Sequence, residues 1–150
     1  MNETNEKNTK MWIKEKRIKS RGIDKEKIKS LVNSSRLNVE VALSIALNEK
    51  SSTVIFREIY ESIRQLGDVL WWLRGYEPLD HDISLEILKG LKIKNSIELN
   101  FLDRFRKIRN DANYRGFKVS EIQAKEIITF WDKCGLEIID RIHQELNQKS

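Results

Sequence analysis

Apolar residues recur every three or four positions along most of this chain, and that spacing predicts helices. Ile28, Leu31, Val32, Val39, Ala42, Leu43 and Ala46 share one face, with Ser35 continuing the stripe as a small residue. The helix they define starts at a cap on Asp24, carries Glu26 in its first turn and runs to about Asn48. Ser51 or Ser52 caps a longer one, with Ile55, Ile59, Ile63, Leu66, Leu70 and Leu73 on its stripe. Gly75 fits the C′ position, and Pro78 follows. Trp71 and Trp72 make the end of that helix apolar on more than one side, as core packing or a subunit contact would require.

A short helix is expected from Asp82 to Lys89, with Asp80 or His81 near its start and Gly90 at its end. Asn95 or Ser96 opens another, which places Ile97, Phe101, Leu102, Phe105, Ile108 and Ala112 on one side and stops at Gly116. The last helix begins with a capping box, Ser120 to Gln123, flanked by Val119 and Ala124 as a staple. Ile127, Ile128, Trp131, Ile138, Ile139, Ile142 and Leu146 supply its buried side. At the other end of the chain, residues 1–9 are expected to be disordered. Residues 10–20 are expected to form a short helix with Met11, Trp12 and Ile18 as contacts, broken at Gly22.

No stretch alternates apolar and polar residues between turn signals, so no sheet is expected. Four long helices with short links predict an all-α fold, an up-down four-helix bundle with one extra short helix. A basic N-terminal segment, 1–23, would precede the bundle, 24–150.

Composition narrows the class. The 150 residues suit one domain. No apolar run approaches the ~20 residues of a membrane span. The polar start MNETNEKNTK lacks a secretory signal, and the single cysteine, Cys134, forms no internal disulfide. The expectation is a cytoplasmic protein without membrane contact. Net charge is +5. Residues 10–29 hold nine Lys/Arg against three Asp/Glu, whereas residues 30–150 hold 18 of each. A smaller basic cluster comprises Arg104, Arg106, Lys107, Arg109, Arg115 and Lys118. Such clusters either form solvated helix faces or attract polyanions.

Common chemical signatures are absent. There is no glycine-rich phosphate loop, CxxC, HExxH or calcium loop. His81 and His143 lie in different elements, so no metal site and no cofactor are expected. His143 suits a helix C-terminus, and Cys134 suits a helix interior as a small core residue.

One residue type is out of place. Leu102, Phe105, Arg109 and Ala112 are spaced by three, four and three, which sets Arg109 on or beside the apolar stripe. Arginine cannot shed its charge, so a half-buried guanidinium needs carboxylate or polar partners. The preceding long helix offers Glu58, Glu61 and Asp68. Glu61 and Asp68, two turns apart, are the expected ion-pair partners of Arg109.

The segment FLDRFRKIRNDANYRGFKVS, behind EIYESIRQLGDVLWWLRGYEPLDHD, resembles the HEPN domain family over roughly residues 24–147. The resemblance rests on the paired long helices, on Gly75, Tyr76 and His81 in the link, on Arg109-Asn110, and on Tyr114, Gly116 and Val119 at the helix exit. It implies a small helical bundle that forms a homodimer. It also implies metal-independent ribonuclease chemistry, or a binding role toward RNA, nucleotide or a minimal nucleotidyltransferase partner in a toxin–antitoxin pair. The family's nuclease motif pairs an Arg, often followed by Asn, with a His four to six residues further on. The His acts as general acid–base while the Arg stabilises the charge of the transition state. In this chain the Arg-Asn half is Arg109-Asn110, but the histidine positions hold Tyr114, Arg115 and Gly116. A phenol with a pKa near 10 is a poor base at neutral pH. A second copy lacks the histidine at the same place, so His81 or His143 would have to be brought in by the fold.

The expected function is therefore a non-catalytic dimeric module that binds through Arg106, Arg109, Asn110, Asn113 and Arg115. The alternatives are an atypical ribonuclease using Arg109, Asn110 and Tyr114, and a purely structural or antitoxin subunit.

Overall fold

The structure is a computed structural model that describes residues 3–149, with side chains from residue 8 onward. Its order is α1 (Glu3–Lys14), β1 (Ile18–Ser20), α2 (Lys25–Ser44), α3 (Ser52–Leu73), β2 (Tyr76–Pro78), α4 (His81–Lys89), a 3₁₀ stretch (Ser96–Phe101), α5 (Leu102–Arg115), α6 (Glu121–Phe130), a π turn (Trp131–Gly135) and α7 (Leu136–Gln148). The fold is all-α, a helical bundle whose long helices are α2, α3, α5 and the α6–α7 rod. Helix α3 is its axis and touches α2, α4, α5, α6 and α7.

The apolar periodicity explains that central position. Ile55, Ile59, Ile63, Leu66, Leu70 and Leu73 are all at most 1% exposed. Phe56 adds a ring that meets Phe105 edge-on at 6.0 Å, and Phe105 meets Phe130 at 5.5 Å. Ser35 is fully buried on α2, where its hydroxyl donates to Gln65 Oε1 at 3.0 Å. Asp24 and Asp80 cap α2 and α4 by accepting from Lys27 N–H and Ile83 N–H, at 3.1 and 2.8 Å. Ser120 and Gln123 form both bonds of the capping box. Gly75 (φ 84°) and Gly116 (φ 69°) adopt the left-handed conformation that closes α3 and α5.

Several expectations are corrected. Helix α2 ends at Ser44, because Ile45 turns extended, and Leu43 is left exposed. Ser51 occupies the N-cap position of α3 but turns backward, donating to Ala46 O at 2.6 Å. The segment before α5 is 3₁₀, not α. Its residues advance about 120° instead of 100° each. Ile97 therefore leaves the inner face and is 75% exposed.

The N-terminal segment differs most. Residues 1 and 2 lie outside the described residues, but residues 3–9, expected to be disordered, belong to α1. The chain leaves the helix at Lys14, before the expected end at residue 20, and β1 pairs antiparallel with β2. Ile18 lies opposite Pro78, and Ser20 opposite Tyr76. Three residues per strand are too few to show alternation. Ion pairs Arg17–Asp80 (2.8 Å) and Arg21–Glu77 (2.9 Å) flank the ladder.

This hairpin covers the tryptophan end of α3. Trp71 is 1% exposed, sits in a small second core with Ile18 and Ile83, and donates from Nε1 to Ile83 O at 2.9 Å. Trp12 meets it edge-on at 5.6 Å. Lys27 Nζ lies 3.8 Å over the Trp72 ring. The apolar excess that pointed to a subunit contact is thus covered by the chain itself.

Candidate functional site

Helix α5 places the site. Leu102 and Phe105 are buried, Ile108 and Ala112 pack against the main core, and Arg109 sits half-buried beside that stripe. Salt bridges fix the helix at both flanks: Arg104–Glu126 (2.8 Å) to α6, and Lys89–Asp103 (2.7 Å) and Arg106–Asp82 (3.0 Å) to α4. Gly116 stops it, with the Phe117 N–H donating to Asp111 O at 3.2 Å.

The expected ion pair from Arg109 to Glu61 or Asp68 does not form. Both carboxylates are taken by Arg64, which bonds Glu61 through two nitrogens and Asp68 at 2.9 Å. Arg64 lies three residues after Glu61 and four before Asp68, so it reaches both within one helix face. Asp68 also accepts from the Ser84 hydroxyl of α4. Burial raises the Asp68 carboxyl above its ordinary value, despite Ser84 and Arg64. Burial also acts upward on Glu61, but the hydrogen bonds and charge of Arg64 bring it net below the usual carboxylate value. The charges of His81 and Arg109 lower it further through space.

Among the described residues Arg109 has no carboxylate partner. Its Nη1 donates to Asn110 Oδ1 at 3.2 Å. Its guanidinium carbon lies 6.0 Å from the Tyr60 ring centre and 5.8 Å from that of Tyr114. Tyr60 comes from α3 and is 4% exposed; burial pushes its phenol up to about 12, with Arg109 acting in the opposite direction. Tyr114 is 77% exposed. One turn from Arg109, Asn113 Oδ1 is buried and accepts no hydrogen bond among the described residues.

Arg109, Asn110, Asn113 and Tyr114 are therefore brought together. Arg106 is committed to Asp82 on α4, and Arg115 sits 4.0 Å from Asp111 while its guanidinium lies 5.5 Å over Phe117. The reading of the sequence missed Tyr60 and Phe117. The arginine-aromatic spacings Arg109–Tyr114 and Arg115–Phe117 are the signal for the second. Cys134 is buried as a core residue, and its thiol is pushed up to about 11 by that burial. Among the described residues no group of three or more His, Cys, Asp or Glu side chains is placed to hold a metal. No described helix is long and apolar enough to cross a membrane.

No protein family, curated protein or solved structure matches this chain.

Proposed function

We propose that this protein is a non-catalytic nucleic-acid- or nucleotide-binding module, with Arg109 as its anion-binding centre. One observation carries the reading. Among the described residues this half-buried arginine, which needs a partner, has no carboxylate and rests on two tyrosine rings, while Glu61 and Asp68 are held by Arg64. A phosphate would supply the missing counter-charge, and Asn110 and Asn113 add polar groups beside it. The resemblance to HEPN domains agrees with RNA as the ligand. It also brings the proposals of a homodimer and of a minimal nucleotidyltransferase partner.

Binding is tested by fluorescence anisotropy with a short RNA at two salt concentrations. The reading requires affinity that falls with salt and drops in Arg109→Ala. Salt-insensitive binding, or equal binding by that variant, sinks it.

A second reading, a metal-independent ribonuclease, is favoured by one detail: His81 and Arg109 act electrostatically on the same carboxylate, Glu61. It requires RNA cleavage in chelator that His81→Ala abolishes. Intact RNA across pH 5–9 removes it.

A further inference from the structure

We propose that Tyr114 and Phe117 form a two-ring platform on which successive bases of a single-stranded nucleic acid stack. The inference rests on the binding reading above and names its ligand class. Half of the twelve aromatic side chains are buried: Phe56, Tyr60, Trp71, Phe105, Phe130 and Trp131 are all at most 5% exposed. Three described aromatics are exposed, and one of them, Phe101, stacks beside Phe105 at 6.0 Å. The other two are Tyr114, at 77%, and Phe117, at 56%. Among the described residues neither packs against another ring.

Each ring instead carries an arginine. Arg109 lies over Tyr114 at 5.8 Å and Arg115 over Phe117 at 5.5 Å. A guanidinium on one face polarises and steadies the ring. A planar ring has a second face, and a base is the ligand that fits it. The rings are held by a defined turn: Gly116 is left-handed (φ 69°), and the Phe117 N–H is bonded to Asp111 O. Where a left-handed glycine closes a helix, the residue after it frequently packs back on the helix. Here that residue is a phenylalanine left in solvent.

Charge chooses the partner. Residues 106–118 hold Arg106, Lys107, Arg109, Arg115 and Lys118 against one acid, Asp111. Alternating rings and cations fit a strand whose bases stack while its phosphates follow the basic side chains. Bases within a duplex have both faces covered, so stacking of this kind selects unpaired strands. A protein partner would use the aromatics without needing a cation at each one.

The test measures anisotropy for four fluorescent probes of equal length: single-stranded RNA, the same sequence as single-stranded DNA, a duplex, and an abasic strand. Tyr114→Leu and Phe117→Leu keep apolar bulk and remove the ring. Each should weaken binding of RNA, DNA or whichever strand the wild type binds by roughly 5- to 150-fold. Binding of the duplex and the abasic strand should change less than about twofold, and Tyr114→Phe should bind as wild type. Circular dichroism confirms that the fold is retained. If the leucine variants bind strands as wild type does while Arg109→Ala does not, the platform is wrong and the binding reading stands. If wild type binds no probe, both fail. Equal losses on abasic and normal strands also overturn the platform.

Discussion

Arg109 rests over the ring of Tyr60, with the guanidinium carbon 6.0 Å from the ring centre, and the phenol beneath it is pushed up to about 12. Burial is the larger cause and acts upward, because a phenolate would be desolvated; the Arg109 cation acts downward. Tyr60 therefore stays protonated at neutral pH and is no base for RNA chemistry.

A pH dependence follows. Tyr60 holds its proton more tightly when folded than the ordinary value of 10.0 allows. Its contribution to stability is complete below pH ~10 and is lost as pH rises through about 12. Urea titrations should show that alkaline loss in wild type and a shallower one in Tyr60→Phe. In Arg109→Ala the phenol should ionise at higher pH than in wild type, read by ultraviolet absorbance. An unchanged titration would mean that Arg109 does not lie over the ring.

Arg64 and Arg109 should separate cleanly in stability. Arg64→Ala strands the Glu61 and Asp68 carboxylates on α3 and should lower unfolding free energy by about 3 kcal/mol. Arg109 breaks no ion pair when removed, so Arg109→Ala should stay within about 1 kcal/mol of wild type. Denaturant melts of the two variants check this, and the reverse order would make Arg109 the structural anchor.

Gly67 sets the approach of α4 to α3. A Cβ there would overlap the Ser84 carbonyl oxygen and lie 2.8 Å from its carbon, both main-chain atoms that yield only with the helix. Gly67→Ala should therefore destabilise by about 3 kcal/mol, the upper part of the overpacking range. The Arg106–Asp82 link between α5 and α4 should loosen with it. Hydrogen exchange localised to residues 81–89 would show the shift.

Gly116 behaves differently, because nothing lies within 4 Å of its would-be Cβ. Only the left-handed φ of 69° resists a side chain. Gly116→Ala should cost about 1 kcal/mol, with the fold intact. Gly116→Asn, which tolerates that conformation better, should cost less; thermal melts rank the three.

The long helices were legible because burial imposes a 3.6-residue rhythm on 20 or so positions at once, as on α3. Caps were legible where one side chain decides, as at Asp24 and Ser120, whereas Asp80 and His81 were both open for α4. Local competition was not legible. Arg64 lies three residues after Glu61 and four before Asp68 on the same helix, so it takes both carboxylates before a cation on another helix can. Strands of three residues such as Ile18–Ser20 carry no periodicity at all. Phe117 lay just beyond a helix end, where helical projection stops giving information. At the site, spacing set Arg109 beside the apolar stripe and the resemblance to HEPN domains pointed to Asn110 and Tyr114, whereas Tyr60 required knowing how α3 and α5 pack.

The π turn at Trp131–Gly135 has an effect that reaches beyond its own five residues. One extra residue in a turn rotates everything downstream by about 100° relative to a regular helix. Gly135 makes room for it, since a Cβ there would fall 2.5 Å from the Trp131 ring. Helix α7 is thus written in a different angular frame from α6. Deleting a single residue within the turn would swing Ile138, Ile139, Ile142 and Leu146 off the core together, a frameshift in burial that leaves the downstream residue order unaltered.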